Sequence, residues 1–198
     1  MSLVDLINQV AQLAGHRLPP RAAVAELAPL LAAFVAEPAN RFLPQQARRR
    51  RDGARFLLNH PADPFQIVVV PWAAGSRGPI HDQAGAAGAM AALSGATIET
   101  KHRIVEEDAA GVRLAPVSTL RLYGRIVTPL LPEDGPQLRE LVHAQGEPAA
   151  TLHVHLRRLV THNVYLPQPD GSHRRQTQGF TFDDIEAWRW WSAVPMVA

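Results

Sequence analysis

The chain has 198 residues, 46% of them hydrophobic and 19% charged, a balance that supports a buried core and excludes a disordered chain. Twenty basic and eighteen acidic residues leave a net charge of +2, so charge alone calls for neither a nucleic acid nor a membrane surface as partner. There is no cysteine, which removes disulfides, thiolate metal sites and a cysteine nucleophile and leaves nine histidines as raw material for a site.

The first fifty residues read as helix. Leu3, Leu6, Ile7, Val10 and Leu13 recur at helical spacing, with Ser2 as N-cap and Gly15 as stop. Pro19 and Pro20 open a second segment whose stripe is Val24, Leu27, Leu30, Leu31, Phe34 and Val35, and Pro38 ends it. The run Arg48, Arg49, Arg50 and Arg51 has no interleaved aromatics and reads as a solvated helix end.

From Arg55 onward the pattern is β. Strands are predicted over 65–72, 86–93, 96–104, 117–127, 149–159 and 162–166, with Gly- and Pro-rich turns between them. Many short strands at fairly even spacing imply a sandwich or barrel. The Ala/Gly-rich stretch 84–96 reads as tight strand packing. No apolar run is long enough to span a membrane, and no basic stretch precedes an apolar one at the N-terminus, so a cytoplasmic location is expected.

Residues 75–95, GSRGPIHDQAGAAGAMAALSG, place Gly75, His81, Gln83, Gly88 and Gly95 at the spacing of the first cupin motif. Gln83 stands in the slot of that motif's second histidine and Gly88 in the slot of its glutamate. The stretch Glu147–His155, EPAATLHVH, looks like the "E-P-A-x-S-L-H-x-Y" strand of the cysteine dioxygenase family, and 75–83 looks like its "G-x-x-x-P-I-H-D-H" turn. The chain therefore resembles that family, including its bacterial 3-mercaptopropionate dioxygenase relatives, over roughly residues 50–165. The resemblance implies a mainly β, RmlC-like jelly-roll barrel preceded by a helical pair, as one domain over 1–198. Helices would fill 1–50, the barrel 51–166 and a C-terminal extension 167–198.

The resemblance also implies Fe(II) at His81, Gln83 and a third position that falls on Gln137 or, one residue on, Leu138. Two of the three family histidines are then replaced, and an amide oxygen is a weaker ligand than imidazole, so weak or absent iron binding is expected. A displaced metal gathered by His153 and His155 with His81, alone or joined by His102 or His143, is an alternative. Thr151, His153 and His155 align with the family's Ser-His-Tyr series on one strand face and are the candidate catalytic residues. Arg55 and Trp72 are the candidate substrate-binding residues, and Arg77 is expected to stabilise its loop. His16, His60, His162 and His173 are expected to be structural. The missing cysteine and His155 in place of tyrosine remove both halves of the cysteine–tyrosine crosslink of some family members, Gly88 standing at the cysteine position.

Three functions follow: oxidation of a small thiol to a sulfinate by O₂; metal-independent acid–base catalysis of isomerase, cyclase or lyase type by His153 and His155; or ligand binding without catalysis. In each the partner is a small molecule, with no nucleic acid or membrane, and the chain is a monomer or homodimer. The tail Trp188-Arg-Trp-Trp191 is expected to pack on the barrel or at a subunit interface, behind a short helix capped by Asp183, Asp184 or Glu186.

Overall fold

A computed structural model describes residues 1–49, 52–109, 111–132 and 138–190, without the side chains of Arg48, Trp188 and Trp190. The chain begins with helices α1 (Leu3–Gly15) and α2 (Pro20–Ala36), a 3₁₀ turn (Pro38–Arg41) and a short helix α3 (Phe42–Arg48). Ser2 caps α1: its Oγ accepts from Asp5 N at 3.1 Å while Asp5 Oδ2 accepts from Ser2 N at 2.9 Å. The helix runs through Gly15 to a C-cap at His16, one residue past the expected stop. Helix α2 buries Val24, Leu27, Leu31 and Phe34, and this stripe holds it through Pro29. The helix ends at Ala36, just before Pro38 as expected, and Pro38 starts the 3₁₀ turn. Of the arginine run, only Arg49 lies wholly within the described residues, as the C-cap of α3, and it is exposed.

Among the described residues eleven strands follow: β1 (Phe56–Leu57), β2 (Gln66–Trp72), β3 (Ile80–His81), β4 (Gly88–Ser94), β5 (Ala96–Glu107), β6 (Val112–Tyr123), β7 (Val127–Leu130), β8 (Leu138–His143), β9 (Ala149–His155), β10 (Thr161–Pro167) and β11 (His173–Gly179). One sheet has the order β1-β2-β9-β4-β7; the other closes on itself as β10-β11-β6-β5-β8-β3. This is a mainly β, cupin-like fold of two sheets with N-terminal helices. The sheets continue past the expected limit at residue 166, because β11 pairs with β10 along its length, from Thr161↔Gly179 to Pro167↔His173. Among the described residues no single helix is long and apolar enough to cross a membrane.

Alternation within the first sheet makes it a partition. Phe65, Ile67 and Val69, Ala89 and Ala91, and Ala150, Leu152 and Val154 face the helices and form the main core with Leu27, Leu31 and Phe34. Val68, Val70 and Trp72, with Met90 and Ala92, face the space between the sheets. The small residues of β4 let α2 lie close to the sheet, which is the tight packing the 84–96 composition implies. On β9 the inward face is Thr151, His153 and His155, all buried.

Candidate functional site: an imidazole-lined cavity between the sheets

The inward faces enclose a cavity of about 290 Å³. β2 supplies Val68, Val70 and Trp72, β3 supplies His81, β9 supplies His153 and His155, and β10 supplies His162; Gln83, Leu141, Arg55 and Phe180 complete most of the wall. Arg55, Trp72, His81, Gln83, His153 and His155, all candidates from the sequence, thus meet in one place, and Thr151 joins them through hydrogen bonds.

Local structure explains each placement. The Asp82 carboxylate accepts from Ala84 N at 3.0 Å, Asn163 N at 3.0 Å and Asn163 Nδ2 at 2.7 Å. That fixes the turn after β3 and turns Gln83, two residues after His81, to the same side. His81 Nδ1 lies 3.0 Å from Pro79 O. A carbonyl only accepts, so Nδ1 carries the proton and Nε2 holds the lone pair. Trp72 Nε1 donates to Thr151 Oγ1 at 2.9 Å, and Thr151 Oγ1 lies 2.8 Å from His153 Nε2 but 3.4 Å from Val70 O. The Thr151 hydroxyl thus holds the His153 ring at Nε2. Both ring nitrogens of His155 are buried without a hydrogen-bond partner among the described residues, as is Gln83 Oε1. Among those residues, no protein group sets the tautomer of His155.

The rings form a chain around the wall. Centroid distances are 6.3 Å for His153–His155, 5.7 Å for His155–Phe180, 5.4 Å for Phe180–His162 and 6.1 Å for His162–His81. The Arg55 guanidinium carbon lies 4.5 Å from the Phe180 ring centroid. Burial holds the imidazoles neutral. It lowers His81 to about 4, helped by the positive charge of Arg139, and His155 to about 3, with Arg139 again the next cause. Burial and then His155 push His153 well below its ordinary value, and burial and then Arg55 lower His162.

Several expectations are corrected. His162 is not merely structural: it lines the cavity, because β10 pairs with β3 through Val164↔His81 and brings its inward face beside that histidine. Phe180, just after β11, joins the wall without any motif or spacing in the sequence to announce it. Leu138 is not a ligand position, since it packs with Val112 and Tyr165 on the other side of the second sheet. Gln137 lies outside the described residues. The residue directly opposite His81 is Arg139.

For the displaced-metal alternative, His81, His153 and His155 are not grouped as a metal site among the described residues, and His143 and His102 do not join them. His143 accepts from Gly75 N at 3.3 Å through Nδ1, and its Nε2 lies 3.0 Å from Glu147 O, so both nitrogens tie down loops. His102 lines a separate groove of about 580 Å³ with Glu140, Tyr165 and His173. Arg77 pairs with Glu140 at 3.0 Å, consistent with a loop-stabilising role. In the tail, Asp184 Oδ1 accepts from Glu186 N at 2.8 Å ahead of the 3₁₀ turn Ala187–Trp190, and Asp183 Oδ2 accepts from Arg55 N at 2.9 Å. The Trp188 and Trp190 side chains and Trp191 lie outside the described residues.

The donor set does not fit the iron centre that the resemblance implies. Among the described residues no three His, Asp or Glu side chains are grouped as a metal site. The second ligand slot carries an amide, and the Arg139 charge opposite His81 opposes a second cation.

No protein-family model and no curated protein matches the chain. Solved structures with similar folds include the hydroquinone 1,2-dioxygenase PnpCD, solved with Cd²⁺ and 4-hydroxybenzonitrile (8% identity over 60% of this chain and 76% of that one, TM-score 0.44). The Schizosaccharomyces pombe Cnp3 cupin domain is 14% identical over 52% of this chain and 60% of its own, with a TM-score of 0.41. The polyketide cyclase RemF from Streptomyces resistomycificus is 14% identical over 74% of this chain and 84% of its own, with a TM-score of 0.31. At these similarities no substrate, cofactor or residue role passes to this chain.

Proposed function

We propose that the chain is a metal-independent enzyme that moves a proton on a small molecule held in the cavity, by chemistry of the isomerase, cyclase or lyase type. The observation that carries this reading is the paired state of the β9 imidazoles. His153 is anchored at Nε2 by Thr151, which Trp72 holds in turn, while His155 beside it has two buried nitrogens with no partner among the described residues. An anchored imidazole holds its free ring nitrogen in a fixed place beside the substrate. A tautomer-free one takes a proton at one nitrogen and returns it from the other. The Nε2 lone pair of His81 supplies a second acceptor on the same cavity.

An imidazole held at about 4 or about 3 is a weak base in the ligand-free cavity. A bound ligand with negative charge raises those values toward the working pH and makes proton transfer competent. A second reading, oxidation of a thiol to a sulfinate, is favoured by one observation: Arg55, His153 and His155 converge on the cavity that His81 lines, as the thiol dioxygenase resemblance implies.

The test is deuterium incorporation from D₂O into a panel of small oxo- and hydroxy-acids, followed by NMR with a metal chelator present. The reading expects incorporation into at least one compound, lowered about 10²–10⁴-fold by His155→Ala or His153→Ala. Incorporation absent throughout, together with thiol-dependent O₂ uptake after Fe(II) is added, overturns it in favour of the second reading.

A further inference from the structure

One buried ionic group on the cavity side of the second sheet has no part in the proton relay. Arg139 on β8 has no exposed surface, and its register partner is His81. Its Nη2 lies 2.7 Å from Glu99 Oε1 and 3.3 Å from Pro129 O. Glu99 Oε2 in turn accepts from Thr128 Oγ1 at 2.6 Å. The Arg139 Nε and Nη1 groups have no partner among the described residues.

We propose that Arg139 is a specificity-determining residue of the inner cavity: from behind the imidazoles it supplies a fixed positive charge that selects an anionic ligand. This inference rests on the cavity being the ligand site.

Three observations support it. Arginine and a carboxylate commonly meet through two parallel hydrogen bonds, whereas here Glu99 lies against a single nitrogen and the guanidinium Nε and Nη1 are left without a hydrogen-bond partner among the described residues. The pair is also directional. Arg139, the register partner of His81, disfavours protonation at His81, His153 and His155, so the positive end lies toward the cavity. Finally, a buried ion pair seldom stabilises a fold more than apolar side chains of similar volume would, so packing alone does not account for it.

The carboxylates nearer the cavity are otherwise engaged. Asp82 is saturated by Ala84 and Asn163, Asp52 Oδ1 accepts from Ala73 N at 2.8 Å, Glu140 pairs with Arg77, and Asp183 sits beside Arg55.

The test compares benzoate with benzamide, near-isosteric probes that differ in charge. Binding is measured by calorimetry and located by the ring NMR signals of His153 and His155. The wild-type chain should bind benzoate about tenfold more tightly than benzamide. Glu99→Gln, which keeps the shape and removes the compensating charge, should widen that ratio about tenfold. The double variant Glu99→Gln with Arg139→Met keeps the interior neutral, and thermal melting verifies that it is folded. It should bring the two affinities close to equality.

An unchanged ratio in the folded double variant would overturn the role of Arg139 and leave Arg55 as the discriminating charge. A ratio that Glu99→Gln leaves unchanged overturns that role as well. Benzoate binding that does not move the His153 and His155 signals, or no binding of either probe, overturns the inference together with the cavity reading beneath it. Signals that move while the ratio ignores Arg139 overturn the inference alone.

Discussion

At Gly88 the backbone of β4 runs so close to β9 that a Cβ would overlap the Val154 carbonyl oxygen. The obstacle is strand backbone, so side-chain rearrangement cannot relieve it. This explains why neither the glutamate of the first cupin motif nor the crosslink cysteine of the resembled family occupies the slot: any side chain would push β4 off β9. Gly88→Ala is expected to destabilise the chain by roughly 2–4 kcal/mol, a large effect for a single methyl group. Urea unfolding of the variant beside Ala87→Gly, one residue earlier and half-buried, checks it; equal midpoints would mean the strands separate readily there. The spacing-two series His81/Gln83 and Thr151/His153/His155 was legible because side-chain parity along a strand is written in the sequence. His162 was not legible as a cavity residue, nor Arg139 as the cation opposite His81, because cross-strand register places them and no sequence spacing encodes it.

Among the elements, the β10–β11 hairpin is the least expected contributor. The β11 segment HRRQTQG is polar and, after His173, exposed, so it gives no hydrophobic alternation and reads as loop. It nevertheless pairs with all seven residues of β10 and leads to Phe180, whose ring touches His155, His162 and Phe182. Strand β3 is two residues long and escapes detection for that reason. Helix α3 lies within the first fifty residues that read as helix, and it ends at the arginine run despite Pro44 within it. By contrast β2, β4 and β9 were recognisable, as short apolar or small-residue runs bounded by turn residues. Because the Phe180 ring packs on His155 and under Arg55, Phe180→Ala should loosen the placement of both while leaving the main core intact. The expected result is a rise of about tenfold in KM, or in benzoate Kd, with a change in stability near 1 kcal/mol. A stability loss as large as that of a fully buried core position, with KM unchanged, would assign Phe180 to packing alone.

For the whole molecule, the neutral imidazoles set a pH signature. His153 and His155 are buried with values below the ordinary 6.5, and His81 is lowered to about 4. Unfolding frees them to take up protons at any pH between the folded and unfolded values. Their contribution to stability is therefore fully present above about pH 6.5 and is lost as pH falls through the folded values, toward 4 for His81 and 3 for His155. The slope is roughly 1.4 kcal/mol per pH unit for each fully buried imidazole in that window. Urea midpoints should fall steeply between about pH 6.5 and 4.5 and more gently in the His153→Gln/His155→Gln variant. Parallel profiles for the two proteins would mean these rings are already protonated or hydrated in the folded chain. The two-sheet architecture was readable from strand count and turn spacing. The chemistry of the cavity was readable only in part, since the amide at 83 announces a changed site while the cation opposite His81 emerges only when the sheet is assembled.

The central claim is that this cavity works through neutral imidazoles and a buried guanidinium, with no iron centre. Its most direct test is to incubate the purified chain anaerobically with Fe(II), remove unbound metal, and measure retained iron together with O₂ uptake on a panel of small thiols. The account predicts iron well below one equivalent per chain and uptake at the no-protein background. One tightly held iron per chain with thiol-dependent O₂ consumption would contradict it.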